Sequence, residues 1–312
     1  MTQGKENNCC LVFRKKHHKK QNMDPLDTLS TVELHARYPE YLHKDDISIV
    51  VNMLQSTENR VRSRAVEAIY MLTIFSKGNV WDGTDIDNLF SVLEASARMV
   101  EKEDMHHLCM LAEVYAYTAD KSGETRSDLD RLLVNVLRDC KDNECLVLRA
   151  THALAKVAGS ANLITFGVAP ILVDTLMLYP SNVMILGDAT DMLYNTVMHT
   201  DACLPELMCT HMFKKLVKSY TYSRDDRILA ILDAMSLSSC VHHLAEKEIF
   251  DIINSYICVS SDETLVLTLA GMLDVLKDTN KTTYVFGSPS QRLPDDVRKQ
   301  VGQITAKFVM AS

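Results

Sequence analysis

Apolar residues recur along most of this chain at the spacing of an amphipathic helix, and the helical segments come in pairs. The first pair covers residues 47–55 and 59–76. In the second of these, Val61, Ala65, Ala68, Ile69 and Leu72 follow the i, i+4, i+7, i+8, i+11 rule of a single buried face. Asn59 reads as the N-cap of this helix and Gly78 as its stop. Further pairs follow at 86–100 with 104–119, 128–138 with 143–158, 169–179 with 182–199, 206–220 with 224–240, and 246–258 with 262–277. Only 10 glycines and 7 prolines punctuate the 312 residues, which favours long helices with short links. The pattern predicts an all-α fold.

One apolar residue in each second helix marks a period. These anchors are Ile69, Val114, Leu154, Leu193, Met235 and Leu273, separated by 45, 40, 39, 42 and 38 residues. Spacings near 40–47 are those of stacked two-helix repeats, because a lone helical pair cannot bury its apolar face. A small residue often lies beside the anchor (Ala68, Ala153, Ala234, and Gly271 two places before), as close packing of neighbouring second helices requires.

The run DATDMLYNTV at 188–197 resembles the armadillo third-helix signature, in which a small-Leu-x-Asn sequence sets Asn on the inner groove. Over residues 45–278 the period and helix pattern resemble the armadillo/HEAT family. That resemblance implies a right-handed α-solenoid of about six armadillo/HEAT-like repeats that binds other proteins. Relatives that hold extended peptides use a ladder of Asn two places after each anchor. Here those places are Met71, Ala116, Lys156, Asn195, Leu237 and Val275, so only Asn195 fits and a nuclear-import receptor is not expected.

Two places before an anchor a side chain is turned about 200° from the buried face and should be exposed. Those residues are Glu67, Ala112, His152, Asp191, Asp233 and Gly271. Glu67, His152, Asp191, Asn195 and Asp233 are therefore the candidate partner-binding groove. Its three acids read either as a stripe for basic segments of a partner or as the ordinary solvated face of an acidic protein.

Charge is unevenly spread. Residues 1–20 hold six cations against Glu6, a net +5, which leaves −13 on the rest of a chain whose total is −8. An acidic body repels phosphate and weighs against direct nucleic-acid binding. The sharpest chemical signal is CCLVFRKKHHKK at 9–20. Cys9 and Cys10 beside Arg14, Lys15, Lys16, Lys19 and Lys20 suit S-acylation and attachment to an anionic membrane surface. The same basic run suits a nuclear localisation signal, or it is a solubilising tail. A Met-Thr start offers no glycine for N-myristoylation, no signal-peptide pattern opens the chain, and no segment approaches the apolar length of a membrane span. Nine cysteines, an odd number mostly set in helical patterns, point to a reducing, cytoplasmic setting with the nucleus as the alternative.

The domain plan expected is a disordered basic tail over 1–27, an N-terminal capping helix over 28–44 opened by the capping box Ser30-Thr31-Val32-Glu33, and repeats over 45–278. A loop over 279–293 and a C-terminal capping helix over 294–312 follow, with Val297, Val301, Ile304 and Phe308 on one stripe. The alternative role for this end is docking, with Tyr284-Val285-Phe286 plugging the groove.

No phosphate-binding glycine loop, serine elbow, HExxH or CxxC occurs. The best metal candidate, Cys240, His242 and His243 with Cys203, Cys209 and His211, lacks structural-zinc spacing. Cys109, Cys140 and Cys258 read as core residues. The expectation is no enzyme, no cofactor, no metal and no catalytic residue. The chain reads as a non-catalytic scaffold or adaptor, with a nuclear, chromosome- or nucleic-acid-associated protein and a regulatory subunit of an enzyme or chaperone as alternatives. The identity of the partner and the oligomeric state are not written in the sequence.

Overall fold

The computed structural model describes residues 24–37, 44–76, 86–99, 104–122, 127–157, 160–244, 246–276 and 284–310. Among them every regular element is a helix and no strand occurs. The chain divides into two compact units, Met1–Lys121 and Ser122–Ser312.

The first unit holds α1 (Pro25–Arg37), α2 (Lys44–Leu54), α3 (Asn59–Ser76), α4 (Ile86–Met99) and α5 (Met105–Ser122). α1 packs on α2 and α3 through the buried Leu29, Val32 and Ala36. A buried pair, His35 Nδ1 to Asp46 Oδ2 at 3.1 Å, joins α1 to α2. Arg64 on α3 bridges Glu33 of α1 at 2.7 Å and Glu67 of its own helix at 2.5 Å. Phe90 and Tyr115, both buried, meet edge to face at 5.3 Å between α4 and α5.

α1 corrects the expected N-terminal boundaries. It begins at Pro25, inside the stretch expected to be tail, and ends at Arg37, short of residue 44. Its start is set by Asp24, whose Oδ1 accepts the Leu26 N–H at 2.8 Å, with Pro25 in the first turn where no donor is needed. The supposed capping box lies inside the helix: Ser30 and Thr31 donate their hydroxyls to the carbonyls of Leu26 and Asp27. The Cys9–Lys20 signal and Gly78 fall outside the described residues.

The second unit comprises α6 (Ser127–Asp139), α7 (Glu144–Val157), α8 (Ser160–Thr165), α9 (Val168–Leu178), α10 (Val183–His199), α11 (Leu204–Leu207), α12 (Thr210–Ser223), α13 (Asp226–Leu237), α14 (Lys247–Val259), α15 (Glu263–Leu276) and α16 (Asp295–Met310). α6 with α7, α9 with α10, α12 with α13 and α14 with α15 pack as hairpins. First helices then meet first helices, α6 to α9 to α12 to α14. Second helices meet second helices, α7 to α10 to α13 to α15, and α16 packs on α15. The short α8 and α11 escaped the sequence pattern, and α11 with the following break replaces the expected start of a long helix at 206.

Each second helix of this unit opens on the same device. Asn143, Asn182, Asp225 and Asp262 stand just before α7, α10, α13 and α15, and each side chain accepts a backbone N–H of the first turn. Such caps satisfy donors that the helix itself leaves open. All six anchors are completely buried. The hydroxyls of Thr73, Thr118, Thr151 and Thr196 are also buried and are satisfied by the carbonyl four residues back. Arg224 ends α12 with φ 55°, a left-handed conformation that costs a non-glycine residue about 1 kcal/mol. That geometry aims its guanidinium at Asp262 before α15 and over the Tyr220 ring, 5.7 Å from the centroid. Gly167, at φ 59°, makes the tight turn between α8 and α9.

Candidate functional site

Along the second unit, polar bonds between hairpins connect residues 36 to 41 positions apart in the sequence. His152 Nδ1 lies 3.1 Å from Asp188 Oδ2 and Arg227 Nη1 donates to Asp191 Oδ1 at 2.9 Å, both across 36 residues. Asn182 donates to Glu144 and Arg224 reaches Asp262 across 38, and Lys215 reaches Asp174 across 41. In the first unit His107 approaches Glu67 at 3.7 Å. Offsets of this size mean that each of these hairpins packs on the one that follows it in the chain.

The exposed face of the second helices carries four of the five candidate groove residues. His152 on α7 is half-buried, and Asp191 and Asn195 on α10 and Asp233 on α13 are exposed. His152–Asp188 and Asp191–Arg227 tie α7 to α10 and α10 to α13, so these groups form one continuous row. Asn195 Nδ2 donates to Asp191 Oδ2 at 3.4 Å. The fifth, Glu67, belongs to the first unit, where it is half-buried and engaged by Arg64.

The row is less acidic than its sequence suggests. Arg227 sits between Asp191 and Asp225, donating to Asp225 Oδ2 at 2.7 Å. Hydrogen bonds from Arg227 hold the Asp225 carboxyl below the usual carboxylate range, against the opposing effect of burial. Asp191 and Asp233 are both exposed, and of the two it is Asp191 that pairs with Arg227. Arg227 and Asp188 are the residues that inspection of the anchors missed. The available signal was a charge-complementary partner 36 residues from a chosen site.

Two glycines lie on the same face. A Cβ placed on Gly187 or Gly271 would meet nothing within 4 Å. Gly271 therefore does not serve close helix packing as expected, but leaves bare backbone at the surface. Ala112, expected to be exposed, is buried, because Leu108, Cys109, Leu111, Val114, Tyr115 and Ala116 make α5 apolar on most of its circumference. Of the expected core cysteines only Cys109 is fully buried; Cys140 and Cys258 are half-buried. Burial raises the Cys140 thiol above its ordinary range, helped by Asp139.

Among the described residues no three His, Cys, Asp or Glu side chains gather at metal-binding range. His242 and His243 are exposed with ring centroids 4.1 Å apart, whereas Cys203 is buried in another turn. No described helix is long and apolar enough to cross a membrane.

The segment weighed as an alternative C-terminal plug, Tyr284-Val285-Phe286, lies elsewhere. Residues 284–290 have no regular secondary structure and lie along α14, a first helix, not along the row on the second helices. Tyr284 donates its hydroxyl to Asp251 at 2.5 Å, Gly287 its N–H to Asn254 Oδ1 at 2.8 Å, and Ser290 its N–H to the Ile257 carbonyl at 2.9 Å. Burial, reinforced by the Asp251 carboxylate, pushes the Tyr284 phenol up to about 12.

No family model matches the chain. No curated protein matches it either. Among solved structures it is similar to the crystal structure of an engineered protein, with a TM-score of 0.45 and 14% identity over 90% of this chain and 82% of that one.

Proposed function

We propose that the chain is a non-catalytic scaffold or adaptor, a right-handed α-solenoid of about six armadillo/HEAT-like repeats whose second helices hold protein partners. The observation that carries this reading is successive packing: first helices meet first helices, second helices meet second helices, and polar bonds 36 to 41 residues apart recur from hairpin to hairpin. A stack of this kind offers a long row of equivalent exposed positions, and affinity accumulates along it from many weak contacts. Here the row supplies His152, Asp191, Asn195 and Asp233, and bare backbone at Gly187 and Gly271 admits close approach of a partner chain. Asp233 is the point for a basic side chain of the partner, since Asp191 is already matched by Arg227. The N-terminal segment with Cys9 and Cys10 sets where this happens, through S-acylation beside its polybasic run.

A photo-crosslinking residue placed at Asp233, and in a separate variant at Lys214 on α12, tests the reading in living cells. Adducts with other proteins should concentrate at position 233 and fall on Asp233→Lys charge reversal measured with a crosslinker at Asn195. Equal yields at 233 and 214 would refute the assignment of the binding face. Palmitate-analogue labelling that survives the Cys9→Ser, Cys10→Ser double change would refute the membrane role of the tail.

A further inference from the structure

The irregular segment 284–290 is seated on α14 in the manner of a bound peptide. Each of its contacts selects something. Asp251 accepts a phenol hydroxyl. Phe250 receives two rings, with Tyr284 at 5.5 Å and Phe286 at 6.4 Å from its centroid, and those two lie 4.6 Å from each other. Asn254 accepts a backbone N–H, which any residue but proline can donate. Cys258 disfavours any larger residue here: a Cβ on Gly287 would stand 2.6 Å from its Sγ, which would have to turn away. The acceptors Asp251, Asn254 and Ile257 are three residues apart on the helix, and their donors Tyr284, Gly287 and Ser290 are three apart on the segment.

α12 has no such surface. Its Phe213 is buried like Phe250, but the next residue is Lys214, a cation where α14 presents the Asp251 acceptor. α14 thus differs from α12 at the position that holds the Tyr284 hydroxyl. Val285 between the two rings is 74% exposed, and the Tyr284, Gly287 and Ser290 donors go to one helix.

We propose that this face of α14 is a peptide-binding site for a Tyr-x-Phe-Gly segment of a partner protein, with residues 284–290 acting as a displaceable occupant in cis. The site lies on a first helix and does not depend on the row assigned above to the second helices. A tethered occupant competes at high effective concentration, so a segment in trans binds only to the fraction of molecules whose strap is lifted. Weakening the strap without touching α14 must therefore strengthen binding in trans.

The test uses a fluorescent synthetic peptide of residues 282–290 and the full-length chain, read by anisotropy. Wild type should bind weakly. Gly287→Ala, which drives a methyl group into Cys258, and Tyr284→Phe, which removes only the hydroxyl held by Asp251, should each tighten binding, the former by about tenfold or more. Adding Asn254→Ala to either should abolish it, and a peptide with valine in place of its glycine should not bind. Helical circular dichroism identifies any variant that fails to fold, and the two strap variants act by different contacts, so one remains informative. The proposal is overturned if neither strap variant binds the peptide up to millimolar concentration, or if the valine peptide binds as well. It is equally overturned if Gly287→Ala raises the molar mass by light scattering without creating a peptide site, since the face would then serve a second copy of the chain.

Discussion

Leu193→Ala tests the idea that the anchors form one shared core. Leu193 is completely buried on α10, which packs against α7, α9 and α13. Truncation removes the isobutyl side chain beyond Cβ at a place where several helices converge. Leu-to-Ala changes in cores cost roughly 2–5 kcal/mol, the larger values arising where surrounding helices cannot collapse into the cavity. Three packed neighbours restrain collapse, so about 3–4 kcal/mol is expected. For a unit of this size that lowers the melting temperature by roughly 6–16 °C. Urea and thermal melts followed by circular dichroism at the helical band measure it. Asn195→Ala on the exposed side of the same helix is the control and should stay within about 0.5 kcal/mol of wild type. If Leu193→Ala cost no more than the control, the anchors would not be a packed spine, and the repeat register read from their spacing would lose its energetic basis.

Three further outcomes are expected. Asn182→Ala removes the acceptor for the Met184 and Ile185 N–H groups and the bond to Glu144, and should cost about 1 kcal/mol in the same melts. Arg227→Ala should cost about 1 kcal/mol near neutral pH, discounted for a partly exposed ion pair. The Asp225 carboxyl is held below its unfolded value of about 3.9, so its contribution is present above that value and lost as pH falls through the folded one; urea melts at successively lower pH should show the wild-type advantage closing below about pH 4. The Tyr284 phenol, pushed up to about 12, should titrate later than an ordinary tyrosine at about 10 in ultraviolet difference spectra, and Tyr284→Phe should delete that late step. Because the raised value favours the neutral phenol in the folded state, the stabilisation it reports is complete below about pH 10 and fades as pH rises through the folded value.

How far the site was legible follows from what each residue depends on. Exposure at His152, Asp191 and Asp233 follows from angular position on a helix relative to a buried anchor, which is a property of one segment. Ala112 failed the same rule because its helix is enclosed by more than one neighbour, and burial on a second side is a property of the assembly. The pairing of Asp191 with Arg227 joins residues from two hairpins, and nothing local announces it. Cys258 looked like a core residue by its apolar neighbours, yet its thiol meets a glycine from an irregular segment after α15.

Helical content, the position of most helices and the six buried anchors were determined by the sequence alone, because a helix is set by contacts within a few residues and by one apolar stripe; Asn59, read as a cap, instead lies inside α3 with its Oδ1 accepting from the Arg62 guanidinium. The start of α1 was missed only because a stronger cap, Asp24 with Pro25, precedes the Ser30 box. Tertiary structure alone decided which hairpin meets which and in what register, how much of the acidic row is neutralised, and where Tyr284 and Gly287 come to rest. Those outcomes depend on groups 33 to 41 residues apart meeting in space, and their energies exist only once the helices between them have packed.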